Sequence, residues 1–283
     1  MVSGSRPPRL DALVRRLDLS VAGPDQYRGM PGSGTGRAFG GMLLAQGLIA
    51  AGRTVDGAMP HSVHAHFLRP ARRSIEMRWT VERLRDGLGF VSRRVQAEQG
   101  ATVVFVLTAG FARPGSGLEH QDPMPEVPAP DRCPDVEDVR VRIVGDPAVR
   151  QPEGPLEIRE CDPEGAVPAV GRPGRRARWM RPRGVLPDDR LVHAAVLAFA
   201  SDRGLLSTAG QPHGLMWGQG IGASLDHALW LHRPVHFDDW MLFTSESPVA
   251  VASRGMIFGA LHARDGTRVA SIAQEGLIRL RGR

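Results

Sequence analysis

The reading of the fold turns on one stretch, Phe199–Arg279, and within it on three segments: FASD (Phe199–Asp202), GASLDHALWLHRP (Gly222–Pro234) and VASIAQEGLIR (Val269–Arg279). FASD closes an apolar run, LVHAAVLAFA (Leu191–Ala200), whose near-continuous hydrophobicity predicts a buried helix. The other two segments read as strands, with two more between them, so strands are expected over Gly222–Leu231, Met241–Ser247, Arg254–His262 and Arg268–Leu280. Asp265-Gly266 supplies the last hairpin turn. An acid, a hydroxyl and a carboxamide (Asp202, Ser224 and Gln274) thus lie on one helix end and two strands.

Working outward, the same order occurs earlier in the chain. A short amphipathic helix is expected over residues 9–20, and a glycine-rich loop runs from Met30 to Gly36. Gly40-Gly41 then opens MLLAQGLIAAG, an apolar helix ending near Gly52. Strands follow over His61–Leu68, Ser74–Arg85, Phe90–Glu98 and Thr102–Ala112, punctuated by Asp86-Gly87 and Gln99-Gly100 and read as a meander. The two halves align: Arg69-Pro70 falls on Arg233-Pro234, Thr80 on Thr244 and Glu82 on Glu246 at an offset of 164. Gly100 falls on Gly266, Val103 on Val269, Gly110 on Gly276 and Arg113 on Arg279 at 166. The chain is an internal duplication.

An apolar helix followed by antiparallel strands implies a sheet curled around that helix, and two copies can join their sheets edge to edge. The expected fold is α+β, a double hotdog. Its units are an N-terminal repeat over residues 1–114, a proline-rich connector over 115–177, and a C-terminal repeat over 178–283. The connector keeps only short apolar runs, Val139–Val144 and Leu156–Arg159, and is expected to pack partly against the body.

Composition sets the remaining limits. No apolar run approaches 18 residues, so no membrane span is expected, and the first 20 residues do not read as a signal peptide. Cys133 and Cys161, without CxxC spacing or neighbouring histidines, predict neither a metal site nor a required disulfide, which points to the cytoplasm. The net charge of +6 is carried wholly by arginine, since the chain has no lysine. Arginine's planar fork suits phosphate. The arginines are too dispersed for a nucleic-acid stripe, so a phosphorylated small molecule fits better.

Duplication provides an internal control. The first helix region, Phe39–Val55, carries no Asp or Glu, whereas the second ends in Ser201-Asp202. At the offsets above, Pro60 stands where Ser224 stands, and Thr108 where Gln274 stands. One active centre per chain is expected, mainly in the second repeat. Asp202 can serve as general base, while Ser224 and Gln274, each donor and acceptor, can hold the water it deprotonates. Such a set attacks a thioester carbonyl without a covalent intermediate, and no GxSxG elbow is present. Taken singly, each residue has an ordinary structural explanation: a helix-end acid facing solvent, a strand hydroxyl on backbone, an exposed strand amide. Asp226-His227 resembles a dyad, but neighbours on a strand face opposite ways. His213 and His232 read as turn or core histidines, and Gly40-Gly41 as a close-packing device rather than a phosphate turn.

The sequence resembles the acyl-CoA thioesterase II (TesB-like) family. The matching segments, in order, are YRG (Tyr27–Gly29), FGG (Phe39–Gly41), HSVHAHFLRP (His61–Pro70), LRDGLGFVSRRV (Leu84–Val95), LEHQDPMPEVPAP (Leu118–Pro130), FASD, QPHG (Gln211–Gly214), SLDHALWLHRP and AQEGLIR. The resemblance implies a double hotdog that hydrolyses acyl-CoA to free fatty acid and CoA without metal or cofactor, usually as a homo-oligomer, dimer or tetramer. Its catalytic aspartate, hydroxyl and glutamine fall on Asp202, Ser224 and Gln274. Met42, where the family often has Gln, is a departure expected to alter the tunnel lining. Two other readings stand beside it: a hydratase or dehydratase of acyl thioesters with His227 or His193 as base, and a non-catalytic acyl-CoA binding protein.

Overall fold

A computed structural model of the chain describes residues 8–215 and 220–280. Residues 1–7, the start of the stretch read as lacking a signal peptide, lie outside that range. Helix α1 (Pro8–Leu17) leads into a small hairpin, β1 (Ser20–Gly23) and β2 (Gln26–Gly29). Helix α2 (Gly40–Gly52) precedes β3 (Met59–Phe67), β4 (Met77–Asp86), β5 (Phe90–Gln99) and β6 (Thr102–Ala112). The connector holds α3 (Val136–Val144) and β7 (Leu156–Glu160). The second repeat comprises β8 (Gly174–Pro182), α4 (Arg190–Ser201), α5 (Leu205–Gly210), β9 (Gly220–Ser224), β10 (Asp226–Leu231), β11 (Met241–Val251), β12 (Arg254–Ala263) and β13 (Arg268–Leu280).

Among the described residues the strands form one antiparallel sheet in the order β1-β2-β4-β5-β6-β3-β10-β13-β12-β11-β8-β7, with β9 on β13. The two repeats meet at β3–β10, so the edge-to-edge union expected from the duplication is present. The simple meander is not. β3 pairs with β6 rather than with β4, which frees its other edge to be the seam. Each repeat also gains a strand ahead of its helix, β2 on β4 and β8 on β11. β8 starts at Gly174 and so straddles the boundary expected at 177/178.

The sheet wraps two helices. Nearly every residue of α2 from Gly41 to Ala51 is buried, as is α4 from His193 to Ser201, and the two helices pack on each other. Around them close Trp79, Phe105, Leu107, Leu229, Ile257 and Ile272, all at most 2% exposed, so α2 and α4 are hydrophobic on all sides because both are core. Asp189 caps α4 by accepting from the N–H groups of Leu191 and Val192. The connector is anchored too: Glu160 of β7 and Arg178 of β8 form a buried ion pair at 2.9 Å. Cys133 and Cys161 are free thiols in a satellite core with Trp179, Trp240 and Leu242.

The ladders correct one equivalence between the copies. Pro60 pairs with Phe111 and Ser224 with Gly276, so Pro60 does match Ser224, and Phe111 matches Gly276. Two residues back, the counterpart of Gln274 is then Ala109 and not Thr108. Thr108 pairs with His64 as Ala273 pairs with Ala228, and it is exposed. The turn glycines Gly100 and Gly266, both at positive φ, align at 166, whereas the strands beyond them align at 165. A one-residue slip moves a side chain to the opposite face of a sheet.

Candidate active site

Asp202 is the C-terminal boundary residue of α4, and its side chain is buried against the start of α2. The Gly41 N–H donates to Oδ2 at 2.8 Å, using one of the donors that a helix leaves unpaired at its N-terminus. Ser224 Oγ donates to Oδ1 at 3.3 Å, and Gln274 Nε2 donates to Ser224 Oγ at 3.0 Å. The three residues expected from sequence are therefore in hydrogen-bonded series, although 22 and 50 positions separate the successive partners along the chain. Desolvation raises the Asp202 carboxyl to about 7, partly opposed by the Gly41 N–H, Ser224, the Arg203 charge and Gln274. A carboxyl poised there suits general-base work near neutral pH.

A bulge brings Ser224 and its neighbours onto the same face. The strand expected over Gly222–Leu231 is interrupted at Leu225, whose N–H donates to the Glu275 carbonyl while its own carbonyl accepts from Phe67. From Ser224 to Ala228 the chain advances four residues, while its partners on β13 run only from Gly276 to Ala273. The extra residue lets both Ser224 and His227 face inward, the re-aiming that bulges provide. Asp226 turns outward and accepts from the Glu275 N–H at 2.7 Å, so it and His227 do face opposite ways.

His227 is nevertheless part of the site. Its Nδ1 lies 2.6 Å from Gln274 Oε1 and its Nε2 lies 2.9 Å from Ser201 Oγ. Burial lowers the ring to about 4, with the Gln274 contact opposing, so it is neutral near pH 7. The sequence held a signal for it, since His227 shares a period-2 face with Leu229 and Leu231, both buried. Gly40-Gly41 likewise does more than permit packing. A Cβ on Gly40 would sit 2.8 Å from Asp202 Oδ2, and one on Gly41 would sit 2.5 Å from the Phe199 carbonyl oxygen. The first repeat therefore contributes a backbone donor to a centre whose side chains all come from the second. His193 stands in the first turn of α4, roughly 13 Å of helix from Asp202 at 1.5 Å per residue. It lies 3.1 Å from the Pro187 carbonyl and accepts from the Phe237 N–H at 2.9 Å, and so is tied up structurally. His213 closes a turn, and His232 lies 2.7 Å from Ser271 Oγ.

Next to this centre lies a cleft of about 1070 Å³. Phe39, Phe199 and Arg203, chain neighbours of Gly40 and Asp202, form one part of its wall, and Met42 contributes beside them. Arg9, Arg16, Arg73, Arg140 and Arg178 line it with Arg203, against Glu137 and Glu153. The arginines crowd one another. Arg16 is lowered by burial and then by Arg73 and Arg15; Arg203 is lowered by burial and then by Arg140. The glycine-rich loop is tethered at its start, because buried Gln46 of α2 donates to the carbonyls of Arg16 and Met30.

Two helices enclosed by a single sheet made of tandem repeats define a double hotdog protein. Residues 164–277 match the family described as Acyl-CoA thioesterase, and residues 30–112 match the Acyl-CoA thioesterase N-terminal domain. The chain is 35% identical to mouse acyl-coenzyme A thioesterase 8, over 94% of its own length and 88% of the relative's. It is 34% identical to acyl-CoA thioesterase 2 of Haemophilus influenzae, over 95% and 98%. The crystal structure of an acyl-CoA thioesterase II from Mycobacterium marinum superimposes with a TM-score of 0.80 at 33% identity, over 95% and 99%. The chain belongs to the acyl-CoA thioesterase family.

Proposed function

We propose that the protein hydrolyses acyl-CoA to free fatty acid and CoA, with Asp202, Ser224 and Gln274 as its catalytic set. One observation carries the reading: an acid held near neutrality, a hydroxyl and a carboxamide form a single hydrogen-bonded series at the end of α4. In the reaction, ionised Asp202 takes a proton from water as its oxygen bonds to the thioester carbon. The C–S bond then breaks, and the proton passes from Asp202 to the departing thiolate. Ser224 and Gln274 orient the water.

The arginine-lined cleft supports the CoA half of this assignment. Arg178 and Arg140 are paired with Glu160 and Glu137, but Arg9, Arg16, Arg73 and Arg203 line the same space, and polyanionic phosphates would complement that excess of positive charge. On this reading the nucleotide end would lie among Arg9, Arg16 and Arg73, with the thioester entering past Phe39 and Arg203, all of which line the cleft. The same reading includes two repeats, expected over 1–114 and 178–283 with a connector over 115–177; the family matches to 30–112 and 164–277 support two repeats, with the second opening by Gly174, where β8 begins. It also includes a cytoplasmic location, in keeping with two unpaired cysteines and with no described helix long and apolar enough to cross a membrane. A homo-oligomer, dimer or tetramer, is part of it as well, supported by Trp230 and Phe258 exposed on the outer face of the sheet.

The test is thiol release from a series of acyl-CoA chain lengths. Asp202→Asn and Gln274→Ala are expected to lower kcat about 100-fold or more while remaining folded. Near-wild-type turnover by both on every chain length, or enoyl/hydroxyacyl interconversion without thiol release, overturns the assignment.

A further inference from the structure

The hydrogen-bonded series does not end at Gln274. It runs Asp202–Ser224–Gln274–His227–Ser201, and Ser201 and Asp202 are adjacent on α4, so the side chains close a ring through one peptide bond. Ser201, His227 and Gln274 are essentially inaccessible to solvent, and His227 is 1% exposed. We propose that His227 is a positioning residue: by donating from Nδ1 to Gln274 Oε1, it fixes the direction of every hydrogen bond leading to Asp202.

The argument is one of donor and acceptor supply. A carboxamide can present either its oxygen or its nitrogen to a neighbour, and a neutral imidazole can carry its proton on either nitrogen. With the proton on Nδ1, the Gln274 oxygen must face His227 and its N–H must face Ser224. The Ser224 hydroxyl, having accepted from Gln274, turns its own proton to Asp202. At the far end, Ser201 gives its proton to Nε2 instead of to the Ala198 carbonyl, which lies equally close at 2.9 Å. With the proton on Nε2, every bond reverses. Gln274 then donates to Nδ1 and offers its oxygen to Ser224, whose proton is drawn away, leaving a carboxylate oxygen facing a hydroxyl lone pair. Only the first direction stabilises the ionised acid that the proposed hydrolysis uses.

The surrounding charges leave this choice to the ring. Arg203 is the charge that faces Asp202, with Arg140, Glu137 and Arg178 behind it. His227 meets Ser201 from α4, Gln274 from β13 and Ala65 across from it on β3, none of them charged, while Asp226 points to the other face. The ring is neutral near pH 7 and therefore has one proton to place.

This proposal rests on Asp202 as general base, and its test separates the two. His227→Phe removes the donor and lets the amide reverse. The acid limb of the kcat/KM profile should move up by about one pH unit, with kcat at pH 7 down roughly fivefold and KM little changed, the size expected for losing one hydrogen bond to a charged group. His227→Asn, whose amide nitrogen stands where Nδ1 stands, should restore the limb. Independently of any variant's folding, ¹⁵N shifts of the wild-type ring, identified by their loss in His227→Asn, should show Nδ1 protonated and Nε2 accepting. An Nε2–H tautomer, or a His227→Phe protein with the wild-type profile, overturns the proposal while Asp202→Asn stays inactive. If Asp202→Asn is active, the base assignment itself has failed.

Discussion

Replacing Asp202 with Asn should make the protein more stable, and increasingly so as pH rises. Burial lifts this carboxyl from the ordinary 3.8 to about 7. Between those values the native state holds a proton that the unfolded state has released, so raising the pH favours unfolding. Roughly three pH units at 1.36 kcal/mol each give ~4 kcal/mol lost by wild type as pH climbs past 7. About 2–3 kcal/mol of that falls between pH 5 and pH 8.5. Asn carries no proton to lose and is nearly isosteric, so its stability lacks this component. Urea unfolding of both proteins at the two pH values measures the difference of differences. Glu160, raised by burial despite Arg178, and His227, lowered by burial, titrate in both proteins and cancel. A gap between Asn and Asp that is equal at pH 5 and pH 8.5 would show that the carboxyl titrates normally, and the reasoning from burial would be wrong. The same substitution abolishes the proposed base, so stability and turnover should move in opposite directions.

Two further outcomes follow from the site's walls. Gly41→Ala places a methyl 2.5 Å from both the Phe199 carbonyl oxygen and the Phe39 ring. It should cost about 1–3 kcal/mol in denaturant unfolding and cut kcat at least tenfold, because α2 must shift its N–H off Asp202. Arg16→Ala and Arg73→Ala should raise KM for acyl-CoA several-fold yet leave KM unchanged for an acyl thioester lacking the nucleotide; equal effects on both substrates would remove the phosphates from the cleft.

Much of the architecture was legible because it is written in periodicity. α2 and α4 declare themselves through unbroken apolar character, and Gly100 and Gly266 mark equivalent turns. Asp202, Ser224 and Gln274 stand out in the sequence because the first repeat lacks them, and they do lie in one hydrogen-bonded series. What escaped lies where pairing, not local pattern, decides. The glycine and arginine matches, at 166, set Thr108 against Gln274, whereas the strand ladders run one residue shorter. The bulge at Leu225 is invisible in a run that alternates acceptably on either side. Without that bulge, His227 looks like the far side of Asp226, and its bond to Gln274 cannot be anticipated. The sequence shows only the small size of Gly41; the role of its N–H depends on α4 ending against it.

The seam between β3 and β10 has a consequence for how such a centre can change over time. In a symmetric pair of identical subunits, any substitution is made twice, so a residue needed on one side cannot be discarded on the other. Covalent tethering of the repeats breaks that bond between the halves. Ala109 is free to be apolar while its counterpart Gln274 stays polar, and Pro60 can stiffen a strand where Ser224 keeps a hydroxyl. A tethered pair can use one half as wall and helix-end donor and the other for the proposed reactive groups, a division of labour that a homodimer of single repeats is barred from by its own symmetry.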